Sequence, residues 1–224
     1  MSITDKQFRQ VAENARRGMN YLNLRPSVAY GLSESTLGCL GVPAHFCRAS
    51  FSNCDLVARE LAPLKAWCAD PHGCCLLWGR WGTGKTHVAV AMLREVAAQG
   101  QAKTLLGVYP DARFITEGQY INALAKSFET HQVIIRRGGH AGHPWLLILD
   151  DFGSPASDNR WANQFGEIIN QRYAADLPTI LTSNMGLDEI ARRFHPRVSS
   201  RIVEGGHIYE FGGRDLRLPK KGGE

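Results

Sequence analysis

Gly79-Arg80-Trp81-Gly82-Thr83-Gly84-Lys85-Thr86 fits the pattern G-x-x-x-x-G-K-[ST], and the architecture follows from it. The preceding run, Gly73-Cys74-Cys75-Leu76-Leu77-Trp78, reads as a short buried strand. The following segment, Thr86 to Gln99, reads as a helix with Val88, Met92, Leu93 and Val96 near one face. A glycine-rich loop between a strand and a helix N-terminus turns backbone N–H groups toward one point, where the helix dipole also favours negative charge. That point suits the phosphates of a nucleoside triphosphate. Gly79, Gly82, Thr83 and Gly84 shape the cradle, Lys85 is placed to reach the β- and γ-phosphates, and the Thr86 hydroxyl to hold Mg²⁺.

Downstream of residue 73, apolar strands and helices alternate. Strands are expected at 73–78, 112–116, 145–150, 179–183 and 207–211, and helices at 85–99, 117–130, 159–175 and 187–202. Such alternation implies an α/β fold of the P-loop NTPase type, with a mostly parallel five-stranded sheet between helices. Upstream, 51–69 reads as a helix leading into that core. Residues 20–42, with Pro26, Gly31, Gly38, Gly41 and several serines, have the composition of a linker. Thr4 to Met19 reads as a short amphipathic helix: Thr4 and Gln7 match a capping box, and Phe8, Val11, Ala12, Ala15 and Met19 form a stripe. A helix of that length is marginal alone and must pack on the chain's own core or on a partner. The chain therefore divides into 1–41, an N-terminal helix and linker that is a candidate partner-docking segment, and 42–224, the nucleotide-binding domain.

Composition narrows the class. At 224 residues, 44% hydrophobic and 21% charged, the chain can bury one α/β core and a small appendage. No apolar run approaches a membrane span and the N-terminus lacks the apolar stretch of a signal peptide, so a cytoplasmic protein is expected. Among the six cysteines, Cys39, Cys47 and Cys54 with His45 contain no C-x-x-C pair, and Cys74 and Cys75 point to opposite faces of one strand. Buried or free thiols are expected rather than a zinc site. The net charge of +5 leans toward a polyanionic partner without naming one.

Trp145-Leu146-Leu147-Ile148-Leu149-Asp150-Asp151 is an apolar strand ending in two acids. In a P-loop protein the first, Asp150, is placed to hold Mg²⁺ through its water shell, and Asp151 to orient or deprotonate the attacking water. Thr179 to Ser183 is another buried strand, followed by Asn184. If it lies between the P-loop strand and the Asp150 strand, Asn184 faces the γ-phosphate; otherwise the Ser-Asn pair caps a helix. Arg197, Arg201, Arg214 and Arg217 follow, and a guanidinium offered across a subunit boundary can stabilise charge on a transferring phosphoryl group.

Together these segments resemble the AAA+ ATPases of the DnaC/DnaI helicase-loader and IstB-like group. The matching stretches are 79–87, Leu146-Leu147-Ile148-Leu149-Asp150-Asp151-Phe152-Gly153, and Arg172-Tyr173 with Pro178 to Asn184. Ser200-Arg201-Ile202, Gly213-x-Asp215-x-Arg217 and the entry segments at 42–46 and 49–53 also match, so the likeness covers about 42–217. The resemblance carries His87 into the nucleotide-binding motif. It makes Asn184 the sensor-1 residue, Arg201 the arginine finger offered to a neighbour with Arg197 as the fallback, and Arg217 a sensor-2-like arginine. It implies an ATPase that uses ATP and Mg²⁺, self-associates through its ATP sites and grips single-stranded DNA.

The function implied is that of a DNA-replication helicase loader delivering a DnaB-type hexameric helicase. Lys126, Arg136 and Arg137 are candidate phosphate contacts. The alternative within the same group is a transposition helper that acts on target DNA with a transposase. A small-molecule kinase is disfavoured by Asn184 and the late arginines. Two features depart from the group: the N-terminal region lacks the paired cysteines of zinc-bearing loaders, and the second acid is Asp151 where many AAA+ proteins carry Glu, a shorter reach that slows hydrolysis.

Overall fold

The computed structural model describes residues 32–99, 104–105, 109–126, 145–153, 159–213 and 215–217. The strands in chain order are β1 Cys74–Gly79, β2 Thr104–Leu105, β3 Tyr109–Pro110, β4 Ala112–Thr116, β5 Leu146–Phe152, β6 Thr179–Ser183 and β7 His207–Phe211. The helices are α1 Glu34–Cys39, α2 Ala58–Ala69, α3 Lys85–Ala98, α4 Glu117–Lys126, α5 Asn159–Ala174, α6 Leu187–Phe194 and α7 Pro196–Glu204.

Five strands form one sheet in the order β4-β5-β6-β1-β7, and every pairing in it is parallel. Parallel strands buried on both faces read as continuous apolar runs, as Cys74 to Leu77 and Leu146 to Leu149 do. Successive side chains then feed two cores. Cys75, Leu77, Ile148 and Ile180 join Val88, Met92 and Leu93 of α3 on one face. Cys74, Leu76, Leu147, Leu149 and Leu181 join Phe165, Ile168 and Ile169 of α5 on the other. This is the α/β arrangement expected from the alternation, and β6 does lie between β1 and β5.

Several elements differ from the sequence reading, each for a local reason. The single helix expected over 187–202 is two, because His195 adopts φ +84 and Pro196 opens the second helix. Proline cannot donate into the preceding turn and disfavours helical geometry in the residue before it. The helix expected over 51–69 is a 3₁₀ turn, Phe51–Asn53, followed by α2. The stretch expected to be linker contains α1, capped by the Ser33 hydroxyl accepting from Thr36 N–H at 3.1 Å, with Leu37 fully buried.

That segment is tied to the core by backbone and by one arginine. Phe114 N–H of β4 donates to Leu40 O at 2.8 Å, and Arg94 of α3 donates to Leu32 O at 2.7 Å and to Cys47 O. A two-stranded antiparallel hairpin, β2-β3, was not expected at all. The helix expected over 4–19 and the last residues of the one expected over 117–130 lie outside the described residues. Among the described residues, no helix is long and apolar enough to cross a membrane.

All six cysteines are free thiols, and Cys47, Cys68, Cys74 and Cys75 are buried. Burial pushes the Cys74 thiol up to about 12, and those of Cys68 and Cys75 well above their ordinary range. Thiols of an unfolded chain titrate near about 8.5. The folded protein therefore keeps protons that the unfolded chain releases, so this contribution to stability is complete below that value and is lost progressively as pH rises from there through the folded values. Thermal melts should show a midpoint falling steadily above about pH 9, with a shallower fall in Cys74→Ala; a flat profile to about pH 11 would contradict the buried-thiol account.

Candidate functional site

The C-terminal ends of β1, β6 and β5 converge on the loop between β1 and α3. Gly79 closes β1 at φ +144, where a Cβ would run into the carbonyl of Phe211 on β7. Gly82 and Gly84 take φ +75 and +91, a left-handed backbone that side-chain-bearing residues adopt only with strain. The Thr83 hydroxyl donates to Arg80 O at 2.8 Å and closes the loop on itself. The loop thus curls over the N-terminus of α3.

Lys85, the first residue of α3, is 6% exposed. Its ammonium donates to Gly79 O at 2.8 Å, to Arg80 O at 2.7 Å and to Asn184 Oδ1 at 2.9 Å. Three donors meet three acceptors, which is what a buried ammonium requires. Desolvation lowers its pKa, while the nearby Asp151 and Asp150 favour the charged form. Asn184 is brought to this position by the turn after β6, where the Ser183 hydroxyl donates to Phe152 O at 2.6 Å and accepts from Met185 N–H at 3.0 Å.

Asp150 is 5% exposed and its Oδ1 accepts from Thr86 Oγ1 at 2.9 Å and from Thr182 Oγ1 at 2.7 Å. Burial pushes its carboxyl up to about 6; the neighbouring Asp151 charge adds to the rise, and the hydroxyls of Thr182 and Thr86 and the Lys85 charge oppose it. A buried carboxylate against a threonine hydroxyl is a pair of oxygen donors suited to a hydrated divalent ion. Asp151 lies at φ +57 and its side chain is exposed. Its N–H leaves the strand ladder and donates to Thr182 Oγ1 at 3.0 Å, at the register shift between β5 and β6. Asp is among the non-glycine residues that tolerate this region best.

Thr182 was missed by the sequence reading. Its one hydroxyl joins both acids, donating to Asp150 and accepting from Asp151. A buried strand carrying three hydroxyl residues, Thr179, Thr182 and Ser183, just before Asn184 was the available signal.

The segment after β7 lies across the loop. Leu216 N–H donates to Gly82 O at 2.9 Å, the Asp215 carboxylate sits against Gly82, and Arg217 N–H donates to Asp215 Oδ1 at 2.9 Å. Arg217 is close enough for its charge to lower the Lys85 pKa. His87 is engaged elsewhere: its Nε2 meets Asn53 Oδ1 at 2.9 Å and Ser50 O at 3.3 Å, joining α3 to the 3₁₀ turn at 51–53.

Arg201 is not brought to this cluster. Its guanidinium lies over the Tyr173 ring, 5.2 Å from the centroid, beside a cavity of about 380 Å³ lined in part by His72, Gly73, Cys74 and Thr179. Those residues mark the N-terminal ends of β1 and β6, opposite the loop. Arg197 is exposed on the first turn of α7. Arg136, Arg137, Arg214 and the side chain of Lys126 lie outside the described residues.

Thr182→Val keeps the shape of the strand and removes the hydroxyl both acids share. Turnover should fall about tenfold, the loss of one hydrogen bond to a charged group, with nucleotide affinity within about threefold. Equal losses in both quantities, measured by steady-state hydrolysis and fluorescent-nucleotide titration, would show that Thr182 holds the fold rather than the acids.

Comparison with known proteins agrees with this geometry. The family model of IstB-like ATP-binding proteins matches residues 43–222. The insertion-sequence protein Rv3427c of Mycobacterium tuberculosis, named as an ATP-binding protein, is 33% identical over 137 residues, 56% of this chain and 45% of its own. The replicative helicase loader DnaI of Bacillus subtilis is 24% identical over 120 residues, 53% of this chain and 35% of its own. The alignments thus span less than half the length of these curated relatives. A crystal structure of DnaI superposes with a TM-score of 0.61 at 22% identity, covering 79% of this chain and 94% of that one, which shows a common α/β fold. The chain belongs to the family of IstB-like ATP-binding proteins.

Proposed function

We propose that this chain is an ATP-dependent helicase loader of the AAA+ class, which binds single-stranded DNA and delivers a replicative hexameric helicase to it. The observation that carries the reading is the separation of two half-sites. Lys85, Thr86, Asp150, Asp151 and Asn184 gather at the C-terminal ends of the strands, whereas Arg201 stands at the opposite end. Within one chain they do not meet. In a head-to-tail assembly one copy's arginine edge faces the next copy's loop, the heterologous contact that builds rings and open helices.

In this reading the N–H groups of the loop at 82–86 bind the triphosphate and Lys85 exchanges its present acceptors for phosphate oxygens. Thr86 and Asp150 would hold Mg²⁺ with its waters, and the ion would supply charge neutralisation at the triphosphate. Asp151 orients water and Asn184 senses the γ-phosphate. Arg217 lies close by on the segment covering the loop, and Arg201 completes the neighbour's site. ATP stabilises the assembly on DNA, and hydrolysis loosens it. Basic side chains, among them Lys126, Arg136 and Arg137, contact the DNA backbone, and the segment 1–41 docks the helicase.

A second reading has a specific observation behind it: the chain is more similar to the insertion-sequence protein, at 33%, than to the helicase loader DnaI, at 24%. A transposition helper of this kind would coat duplex DNA and engage a transposase. Mixing the full chain with ATP, Mg²⁺, single- or double-stranded DNA and a DnaB-type helicase separates the two. Preferential binding of single strands, weakening steeply with salt, and co-elution with helicase support the loader. Preference for duplex with no helicase bound would support the helper.

Shared sites also have a kinetic signature. Turnover per protomer should rise with protein concentration, and Arg201→Ala should lower it by roughly a hundredfold or more. Mixing Arg201→Ala with Lys85→Ala protomers should restore part of the activity, because each supplies the half the other lacks. Concentration-independent turnover by a monomer would contradict the assembly.

A further inference from the structure

A side chain meant to act on an adjacent copy needs something to hold it before that copy arrives, and the structure contains such a support. Arg172, at the C-terminal end of α5, is almost wholly buried and donates to Thr179 Oγ1 at 2.7 Å and to Trp145 O and Pro178 O at 2.8 Å. These bonds tie the end of the helix to the starts of β5 and β6. The next residue, Tyr173, is therefore carried on fixed backbone, yet its ring is 41% exposed at the edge of the protomer.

The partner element is equally constrained. Helix α7 packs against α5 where Gly166 leaves only enough room for Val198, since a Cβ at 166 would stand 3.2 Å from Val198 Cγ2. On α7, Arg201 and Glu204 are three residues apart and so share a face. The Arg201 guanidinium lies over the Tyr173 ring, and the Glu204 carboxylate is near enough to push the Tyr173 hydroxyl pKa up. The ring, carried on fixed backbone, limits where the guanidinium can lie. An exposed arginine otherwise samples many rotamers, and stacking on an aromatic face removes most of them while remaining weak enough to release. The adjoining cavity, lined in part by His72, Asp176 and Gly205, gives an incoming surface room to approach.

We propose that Tyr173 is the positioning residue for Arg201, holding the guanidinium at the protomer edge in the orientation from which it reaches a nucleotide on the adjacent copy. The inference rests on the reading of Arg201 as an arginine acting in trans, and goes beyond it in naming what presents it. The cost is small in the free protomer and the gain appears on assembly, when fewer rotamers remain to be lost.

The test uses the full chain with ATP, Mg²⁺ and single-stranded DNA, reading both steady-state turnover and ATP-dependent self-association by sedimentation velocity. Tyr173→Ala should lower kcat about tenfold with KM within about twofold, and should weaken assembly; Tyr173→Phe, which keeps the ring, should recover most of both. The double variant with Arg201→Ala should be no worse than Arg201→Ala alone. Where Tyr173→Ala melts early, Tyr173→Leu keeps the bulk without the π face and should show the same loss. If Arg201→Ala loses turnover and assembly while both Tyr173 variants keep them, or if the two losses add, the positioning role is overturned and the trans arginine stands. If Arg201→Ala itself changes neither, the reading beneath the proposal falls with it.

Discussion

The buried ammonium of Lys85 is the interaction on which the rest of the site depends. It is held by two carbonyls of the loop after β1 and by Asn184 on the turn after β6, so one charge joins two adjacent strand ends. A lysine taken out of water without partners would simply lose its proton. Here the three acceptors and the two nearby carboxylates offset that tendency, and the loop must keep its left-handed glycines to present those carbonyls. The geometry of the loop, the order of the strands and the position of the acids are therefore one constraint seen from three sides.

Asp150 and Asp151 show how adjacent identical residues come to differ. Asp150 stays in the strand, buried and hydrogen-bonded, with a carboxyl pushed up to about 6 by desolvation. Asp151 leaves the ladder at positive φ and faces solvent. The Thr182 hydroxyl makes the distinction, because it binds the side chain of one and the backbone of the other. A carboxylate that is costly to keep charged in isolation is well suited to a site that a divalent cation completes. In this sense the protomer stores part of the binding energy of its ligands as unfavourable burial.

Much of this was legible in the sequence because it depends on local pattern. The strand–loop–helix reading of 73–99 and the apolar strand ending in Asp150-Asp151 rest on short-range spacing, whereas the place of Asn184 hung on the order of the strands. What was not legible depends on contacts between distant segments. Thr182 looked like one more strand residue until β5 lay beside it. The stretch around α1 looked like linker because its glycines and serines are common there, yet Leu37 is buried and Leu40 receives a bond from β4. His87 sat inside the motif but turns to Asn53, and the break at His195 required weighing Pro196 above the amphipathic stripe across it. The stacking of Arg201 on Tyr173 joins two helices whose sequences say nothing of each other.

Under the proposed function the ATP site is a joint property of two copies, and a structure of the assembled protein tests this most directly. Cryo-electron microscopy of the full chain with a non-hydrolysable ATP analogue, Mg²⁺ and single-stranded DNA should show nucleotide at the loop of one copy, against Asp150 and Asn184, with Arg201 of the next copy at its γ-phosphate. Nucleotide seated in isolated protomers with every Arg201 directed away from it, or a loop left without nucleotide at saturating analogue, would contradict the account.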